Sequence, residues 1–398
     1  MKKKRVLFVI DSLDCAGAEK SLISLLSAFD YEIYSVDLRL FAHGHILEEL
    51  VPNEVNILKP LEYTEFSKMS LKKACIYSIR KFNVKSLLSR FTYSLKIRVR
   101  KYNHSQKARI FWENISKVIE EDSTNYDIAI SYAQGIPTFY VAEKIKATKK
   151  FAWVNVSNRL DEVEKEFHQR YYDQFDKIVA VSESTKEIFI ETFNQYTAIT
   201  KVIYDINNAD SIMKMSGVGK SYNDNFKGIR ILTIGRLDQN KGYDIALAAC
   251  KMLKESGVKF RWYSLGKGIL KEEIEEQIRT AGLTEDFILL GVEANPYPFI
   301  KDSDIYVQTS RHEGFGLAIA EARMLNIPVV TTSFDAVYNQ MVNKKNGLVV
   351  DMNAEAVCEG IVTLINDLEL RSEIKEYLKK EKKGNVEELE KIYQLIND

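Results

Sequence analysis

Short, unbroken runs of apolar and β-branched residues, each followed by an amphipathic stretch, recur along almost the whole chain. In the first half they are RVLFVI, IYSVDLRL, VNIL, YDIAISY, KFAWVNV and KIVAVS. In the second half they are IRILTIG, FRWYSLG, FILLG, DIYVQT, PVVTTS and GLVV. A strand that is apolar on both sides must be covered on both sides, and strands separated by helices run parallel. The rhythm stops once, at NNADSIMKMSGVGKSYNDNFKG (207–228), a stretch without periodicity and rich in Asn, Gly, Ser and Asp, and then resumes. This pattern predicts an α/β protein of two doubly wound domains, 1–206 and 207–379, facing each other across a cleft. The tail 380–398 reads as a charged break and one last amphipathic helix, expected to pack back on the first domain. With 398 residues, 45% of them hydrophobic, the chain can fill two cores.

In open parallel sheets, ligands bind beyond the carboxyl ends of the strands. The conspicuous polar and glycine clusters all fall there. DSLDCAGAEKSL follows the first strand, GRLDQNKGYD follows IRILTI, SLGKG ends FRWYSLG, and SRHEGFG follows DIYVQT. Three of the four belong to the second domain, which is therefore expected to bind a nucleotide. Arg236 and Lys241, an Arg fork and a Lys point charge between a strand and a helix, suit a diphosphate. Gly314, Phe315 and Gly316 form a turn between the strand Asp304 to Thr309 and a helix from Leu317 to Leu325, where backbone N–H groups and a helix dipole favour phosphate. Glu321 lies in the small apolar run LAIAEA and needs a partner, either a nearby Lys or Arg or a ligand's hydroxyls. About 7 Å separates it from the helix start at ~1.5 Å per residue, the distance from a phosphate to a ribose. Glu313, before the turn, would face the group beyond the second phosphate.

These segments resemble glycosyltransferase family 4, the retaining enzymes of the GT-B fold with two Rossmann-like domains. The likeness rests on GRLDQNKG, on the Glu–seven residues–Glu spacing of Glu313 and Glu321 within SRHEGFGLAIAEA, and more loosely on CAGAEKSL. It implies transfer of a sugar from a nucleoside diphosphate donor, UDP-linked, to a saccharide acceptor in bacterial surface-polysaccharide or capsule synthesis. Arg236 and Lys241 would then hold the diphosphate, and the Gly314, Phe315, Gly316 and Leu317 backbone its phosphates. Glu313 would meet the donor sugar, Glu321 the ribose, and Gly17 would stand in a loop closing on the donor. The sequence departs from the family pattern twice. Ala16 replaces the first glycine of that loop, and Asn155 in WVNVSN stands where many relatives have a histidine. Asn155 can donate a hydrogen bond to a sugar hydroxyl but cannot titrate. In this family the leaving phosphate is thought to assist the acceptor, so no side-chain base is obligatory.

Other signals bound the function. Asp302-Ser303-Asp304 imitates a metal-binding D-x-D motif but reads as the turn into DIYVQT, and the five histidines lack ligand spacing, so neither metal nor other cofactor is expected. No G-x-G-x-x-G follows the first strand, which argues against a nicotinamide dehydrogenase. Cys15, Cys75, Cys250 and Cys358 are widely spaced, which fits a reducing compartment. The start MKKKRVLFVID reads as a strand with a basic leader, and no run approaches the length of a membrane span. From Phe66 to Trp112 there are thirteen Lys and Arg residues and no acid, interleaved with apolar and aromatic residues. With no recognition module for nucleic acid, this reads as a basic amphipathic patch for an anionic membrane surface. The expectation is a cytoplasmic protein, peripheral at the inner face of the membrane, with a lipid-linked or membrane-proximal acceptor. Two rival readings are a non-catalytic GT-B partner subunit that binds glycan or steadies an active transferase, and a sugar-nucleotide epimerase of the same architecture.

Overall fold

A computed structural model describes residues 3–14, 17–81, 84–156 and 160–397. The chain forms two compact units. One comprises Met1–Asp14, Ala18–Ile203 and Lys391–Asp398, the other Cys15–Gly17 and Tyr204–Glu390.

In the first unit the strands are β1 (Lys4–Ile10), β2 (Tyr34–Leu40), β3 (Val55–Ile57), β4 (Asp122–Ser131), β5 (Ile145–Val154), β6 (Lys177–Ala180) and β7 (Thr200–Val202). Their order is β3-β2-β1-β4-β5-β6-β7, and all pairs are parallel. The second unit holds β8 (Ile229–Ile234), β9 (Phe260–Leu265), β10 (Phe287–Gly291), β11 (Ile305–Gln308), β12 (Val329–Thr332) and β13 (Leu348–Val350). Their order is β10-β9-β8-β11-β12-β13, again parallel throughout. The two doubly wound parallel sheets expected from the apolar runs are present.

Side chains alternate across a strand, so a sheet covered on both sides needs apolar residues at consecutive positions. The second sheet does this. Ile231, Trp262, Ile305 and Val330 enter one cluster, with the helices Tyr243–Glu255 and Ala354–Asn366. Their neighbours Leu232, Tyr263, Tyr306 and Val329 enter the other, with the helix Leu317–Met324. Cys250 and Cys358 are buried free thiols. The final helix, Glu388–Asn397, brings its tail onto the first unit. There Tyr393 stacks on Tyr34 at 5.5 Å and accepts a 2.7 Å bond from the Asp30 amide, while Lys4 Nζ donates to Asn397 Oδ1 at 2.9 Å.

Three features differ from the expectation. Thr200–Val202 is a seventh strand, only three residues long, too short to show a pattern. The stretch 207–228 contains a helix, Ala209–Met215, whose buried residue Ile212 alone cannot create a visible period. The basic segment holds Leu71–Lys81, Val84–Lys96 and, after a non-helical stretch at 97–103, the separate helix His104–Ile115. The last of these belongs to the core. Trp112 and Ile115 are fully buried, and Arg109 pairs with buried Glu164 at 2.7 Å and with Glu113 at 3.1 Å. Arg109 is thus a structural cation and not part of a surface patch.

His168 lies among Phe139, Phe167 and Tyr172, with its ring 5.0 Å from Phe139. Burial, and then the charge of Arg109, lower its pKa from 6.5 to about 4. The folded protein therefore keeps His168 neutral where the unfolded chain takes up a proton. Its contribution is complete above pH 6.5 and is lost as pH falls toward 4. Urea unfolding at pH 7 and pH 4.5 should show about 2 kcal/mol of acid-induced loss from this group. His168→Leu should show correspondingly less dependence on pH, and an unchanged pH slope in that variant would refute the assignment.

Candidate active site

Doubly wound sheets open a crevice where strand order reverses, because the loops leaving the two central strands turn to opposite faces. In the second unit that point lies between β8 and β11. The two segments singled out by charge and glycine content, GRLDQNKG and SRHEGFG, are the loops that leave these strands.

After β8, Asp238 caps a turn by accepting from the Asn240 amide at 3.0 Å, and Gln239–Lys241 form one turn of 3₁₀ helix. Gly242 follows with φ 62°. A Cβ there would fall 2.1 Å from the Thr309 carbonyl oxygen, so glycine alone allows the close approach. The two loops are stitched together at this point. Thr309 Oγ1 donates to the Lys241 carbonyl at 2.9 Å and the Arg311 amide to the Asn240 carbonyl at 2.7 Å. The Arg311 guanidinium grips Asp244 through bonds of 2.9 and 2.6 Å.

This stitching brings Lys241 to Glu313. Lys241 Nζ lies 2.5 Å from Glu313 Oε1, with side chains only 16% and 14% exposed. The same oxygen accepts from Ser310 Oγ at 2.6 Å and from Gln308 Nε2 at 3.0 Å. Gln308 Oε1 in turn accepts from the buried Tyr306 hydroxyl at 2.5 Å. Desolvation raises the Tyr306 pKa well above its usual value, so it remains a donor. A largely buried ion pair is thereby held by neutral hydrogen bonds on its acidic side. All these bonds end on Oε1, which leaves Oε2 free to accept. Arg236 is placed differently. Its side chain is 61% exposed, with Nε 3.4 Å from Asp238 Oδ2.

Gly316 caps the helix Leu317–Met324 with φ 84°. Gln340 Nε2 donates to the carbonyls of Phe315 and, at 3.1 Å, Gly316, while Arg323 Nη1 donates to Gln340 Oε1 at 3.3 Å. The amides of Gly314, Phe315, Gly316 and Leu317 have no hydrogen-bond acceptor among the described residues. They form a row of donors at the positive end of a helix. Glu321 is 2% exposed and accepts from the Tyr297 hydroxyl at 3.1 Å. Of the two partners the sequence left open, a nearby cation or a ligand's hydroxyls, neither is this one, which is a tyrosine. Asp304, of the D-x-D look-alike, accepts from the Arg230 amide at 2.9 Å and donates its own amide to the Arg230 carbonyl, a strand-entry role.

In the first unit the strand order reverses between β1 and β4. Asn155, just past β5, donates from Nδ2 to the Tyr132 carbonyl at the end of β4 at 2.7 Å, and its buried Oδ1 has no partner among the described residues. Gly17 opens the helix Gly17–Ser27, while Ala16 lies outside the described residues.

Residues 220–381 match the family Glycosyl transferases group 1. The match lies almost wholly within the second unit. Among curated proteins the chain is similar to a Campylobacter jejuni N-acetylgalactosamine-N,N'-diacetylbacillosaminyl-diphospho-undecaprenol 4-alpha-N-acetylgalactosaminyltransferase, 26% identical over 51% of this chain and 54% of that protein. It is also similar to a Staphylococcus aureus poly(ribitol-phosphate) alpha-N-acetylglucosaminyltransferase, 28% identical over 52% of this chain and 44% of that one. The chain spans about half the length of these curated relatives. Anabaena HepE, solved in complex with UDP and glucose, superposes with a TM-score of 0.67 over 99% of both chains at 17% identity. The fold is GT-B.

Of the residues singled out in the sequence, the structure brings Lys241 to Glu313, sets Gly316 at the start of the helix and buries Glu321 within it. Gln308, Ser310, Tyr297 and Gln340 were not singled out. A Gln at the end of an otherwise apolar strand was the available signal for Gln308; Tyr297 and Gln340 offered none. The stitching at Gly242 also carries a test. Gly242→Ala should cost about 1–3 kcal/mol in urea unfolding, through both the positive φ and the clash with Thr309. A variant as stable as the parent would mean that the two loops are not held together there.

Proposed function

We propose that the protein is a retaining glycosyltransferase of family 4. It moves a sugar from a nucleoside diphosphate donor, UDP-linked, to a lipid-linked or membrane-proximal saccharide in surface-polysaccharide synthesis, without a metal. The carrying observation is the junction between β8 and β11, which joins Lys241 to Glu313 beside the unbonded amide row 314–317. Cation, oriented amides and helix terminus together suit a leaving diphosphate. The similarity of the second unit to sugar transferases, and of the whole fold to a UDP complex, supports the same reading. So does the name of the Campylobacter relative, which contains a diphospho-undecaprenol.

In this reading Lys241 and Arg236 neutralise the charge that develops as the bond from sugar carbon to phosphate oxygen breaks. The acceptor oxygen bonds to the same carbon on the same face, and its proton passes to the leaving phosphate. Glu313, fixed through Oε1, offers Oε2 to the donor sugar's hydroxyls. Glu321 meets the ribose, held in place by Tyr297. Gln340 is a positioning residue, keeping the carbonyls of Phe315 and Gly316 engaged. Gly17 is assigned to the donor side, and the free Oδ1 of Asn155 is assigned to an acceptor hydroxyl. The protein would work in the cytoplasm, against the inner face of the membrane.

Binding isotherms with UDP in excess EDTA, paired with sugar release from a panel of UDP-sugars, test this. Lys241→Ala and Arg236→Ala should each weaken UDP roughly 10- to 100-fold, as loss of a charge-assisted bond does. Glu321→Gln should also weaken free UDP. Glu313→Gln removes the carboxylate that competes with a diphosphate for Lys241. Its UDP affinity should hold or rise, with the deficit appearing in turnover. Undiminished UDP binding in both cation variants would sink the reading, and activity abolished by EDTA but restored by manganese would overturn its metal-free chemistry.

A further inference from the structure

The helix Val84–Lys96 turns its apolar residues outward. Val84, Leu88, Phe91 and Leu95 are 57%, 61%, 59% and 52% exposed, and Val99 just beyond is 78% exposed. Spacings of four, three and four place the first four on one stripe of the helix. The opposite face holds the helix to the protein. Ser86 is buried, and Tyr93 meets Phe111 edge-on at 5.3 Å. Arg90 donates to the carbonyls of Phe66 and Met69 at 3.1 and 2.7 Å and lies over the Phe66 ring. These anchors fix the roll of the helix, so the stripe stays on the surface.

Cations surround the stripe. Lys85 and Lys96 flank it on the helix, Arg98, Arg100 and Lys101 follow it, and Lys72 and Lys73 are exposed on the preceding helix. None of the seven forms an ion pair among the described residues, and no acid occurs between Phe66 and Trp112. An apolar ridge within an unneutralised basic field is complementary to one kind of surface, an apolar interior under anionic headgroups. A second copy of the chain fits poorly, because a two-fold contact through this stripe would set the same cations against one another. No described helix is long and apolar enough to cross a membrane, so the stripe would lie in the interface plane.

We infer that the Val84–Lys96 helix is a bilayer-docking element that sets Val84, Leu88, Phe91 and Leu95 into the headgroup boundary of an anionic phospholipid membrane. This rests on the membrane-proximal reading above and narrows it from the whole segment 66–112 to one helix face. Arg90 and Arg109 are excluded from the contact because they serve the protein's own interior.

The test is co-sedimentation of the full chain with phosphatidylglycerol-containing vesicles and with phosphatidylcholine vesicles. Preference for the anionic vesicles, weakening with salt, is expected. Leu88→Ser/Phe91→Ser should lower binding at least about tenfold, and Lys85→Glu/Lys96→Glu should do likewise. UDP affinity should be unchanged in both, which separates failure of docking from failure of the transferase reading. All these positions are exposed, and circular dichroism checks the fold. As a second readout, Phe91→Trp should shift its emission to the blue on anionic vesicles only. Binding unaffected by either double substitution, no binding to anionic vesicles, or a stripe-dependent dimer in light scattering would each overturn the inference.

Discussion

The ion pair between Lys241 and Glu313 depends on a reversal of strand order. Had β8 been followed by strands on one side only, the loops after β8 and β11 would leave toward the same face and no crevice would form between them. With the order β10-β9-β8-β11-β12-β13, a Lys from one loop and a Glu from the other converge. An ion pair this enclosed gives up much of its hydration, and Coulomb attraction alone does not reliably offset that. Ser310, Gln308 and Tyr306 act on this balance, forming a chain of neutral donors that ends on one carboxylate oxygen. Their geometry also fixes which oxygen stays available. The charge of the site and its orientation are therefore one construction.

Much of the fold was legible because buried parallel strands leave an unmistakable trace. DIYVQT reads as a strand over 304–309, and the structure has one at Ile305–Gln308. The failures have a common physical origin. Thr200–Val202 and Ala209–Met215 are short and bury little, so hydrophobic periodicity has nothing to register. The amino-terminal part of β4, Asp122 to Asn125, is polar and partly solvated, and so lies outside the apolar run YDIAISY. At the candidate site, the pairing of the loops that carry Lys241 and Glu313 and the turn at Gly316 were legible because backbone geometry demands particular residues at fixed local spacing. Tyr297 and Gln340 act on partners 24 residues away or more. Such long-range partners are fixed by topology, which spacing along the chain does not encode.

The basic segment shows the same limit in another form. Its composition indicated an amphipathic cationic surface, and a face of that kind exists on Val84–Lys96. Composition does not distinguish a cation that faces solvent from one that closes a helix end. Arg90 satisfies two carbonyls at the end of the helix Glu62–Lys68, and Arg109 neutralises the buried Glu164. Both are guanidinium groups, whose planar array of donors suits such tasks better than an ammonium. The exposed charges on and beside the stripe are mainly lysines. A Lys for solvent and an Arg for the interior is a division that chemistry explains after the fact.

Asn155 combines a committed donor with an unmet acceptor. Its amide nitrogen is committed to the Tyr132 carbonyl, where the first sheet reverses its order, and its buried oxygen has no partner among the described residues. Leaving a buried acceptor unmet costs free energy, and folding gains nothing evident from it here. A histidine in this position would change its charge between pH 5 and 8. An amide cannot, so a hydroxyl that donates to Asn155 meets the same dipole throughout that range. The family resemblance makes the change to Asn look like a loss. In the function proposed above it is instead a fixed acceptor, oriented by the backbone through Tyr132, whose cost in the free protein a bound hydroxyl would offset.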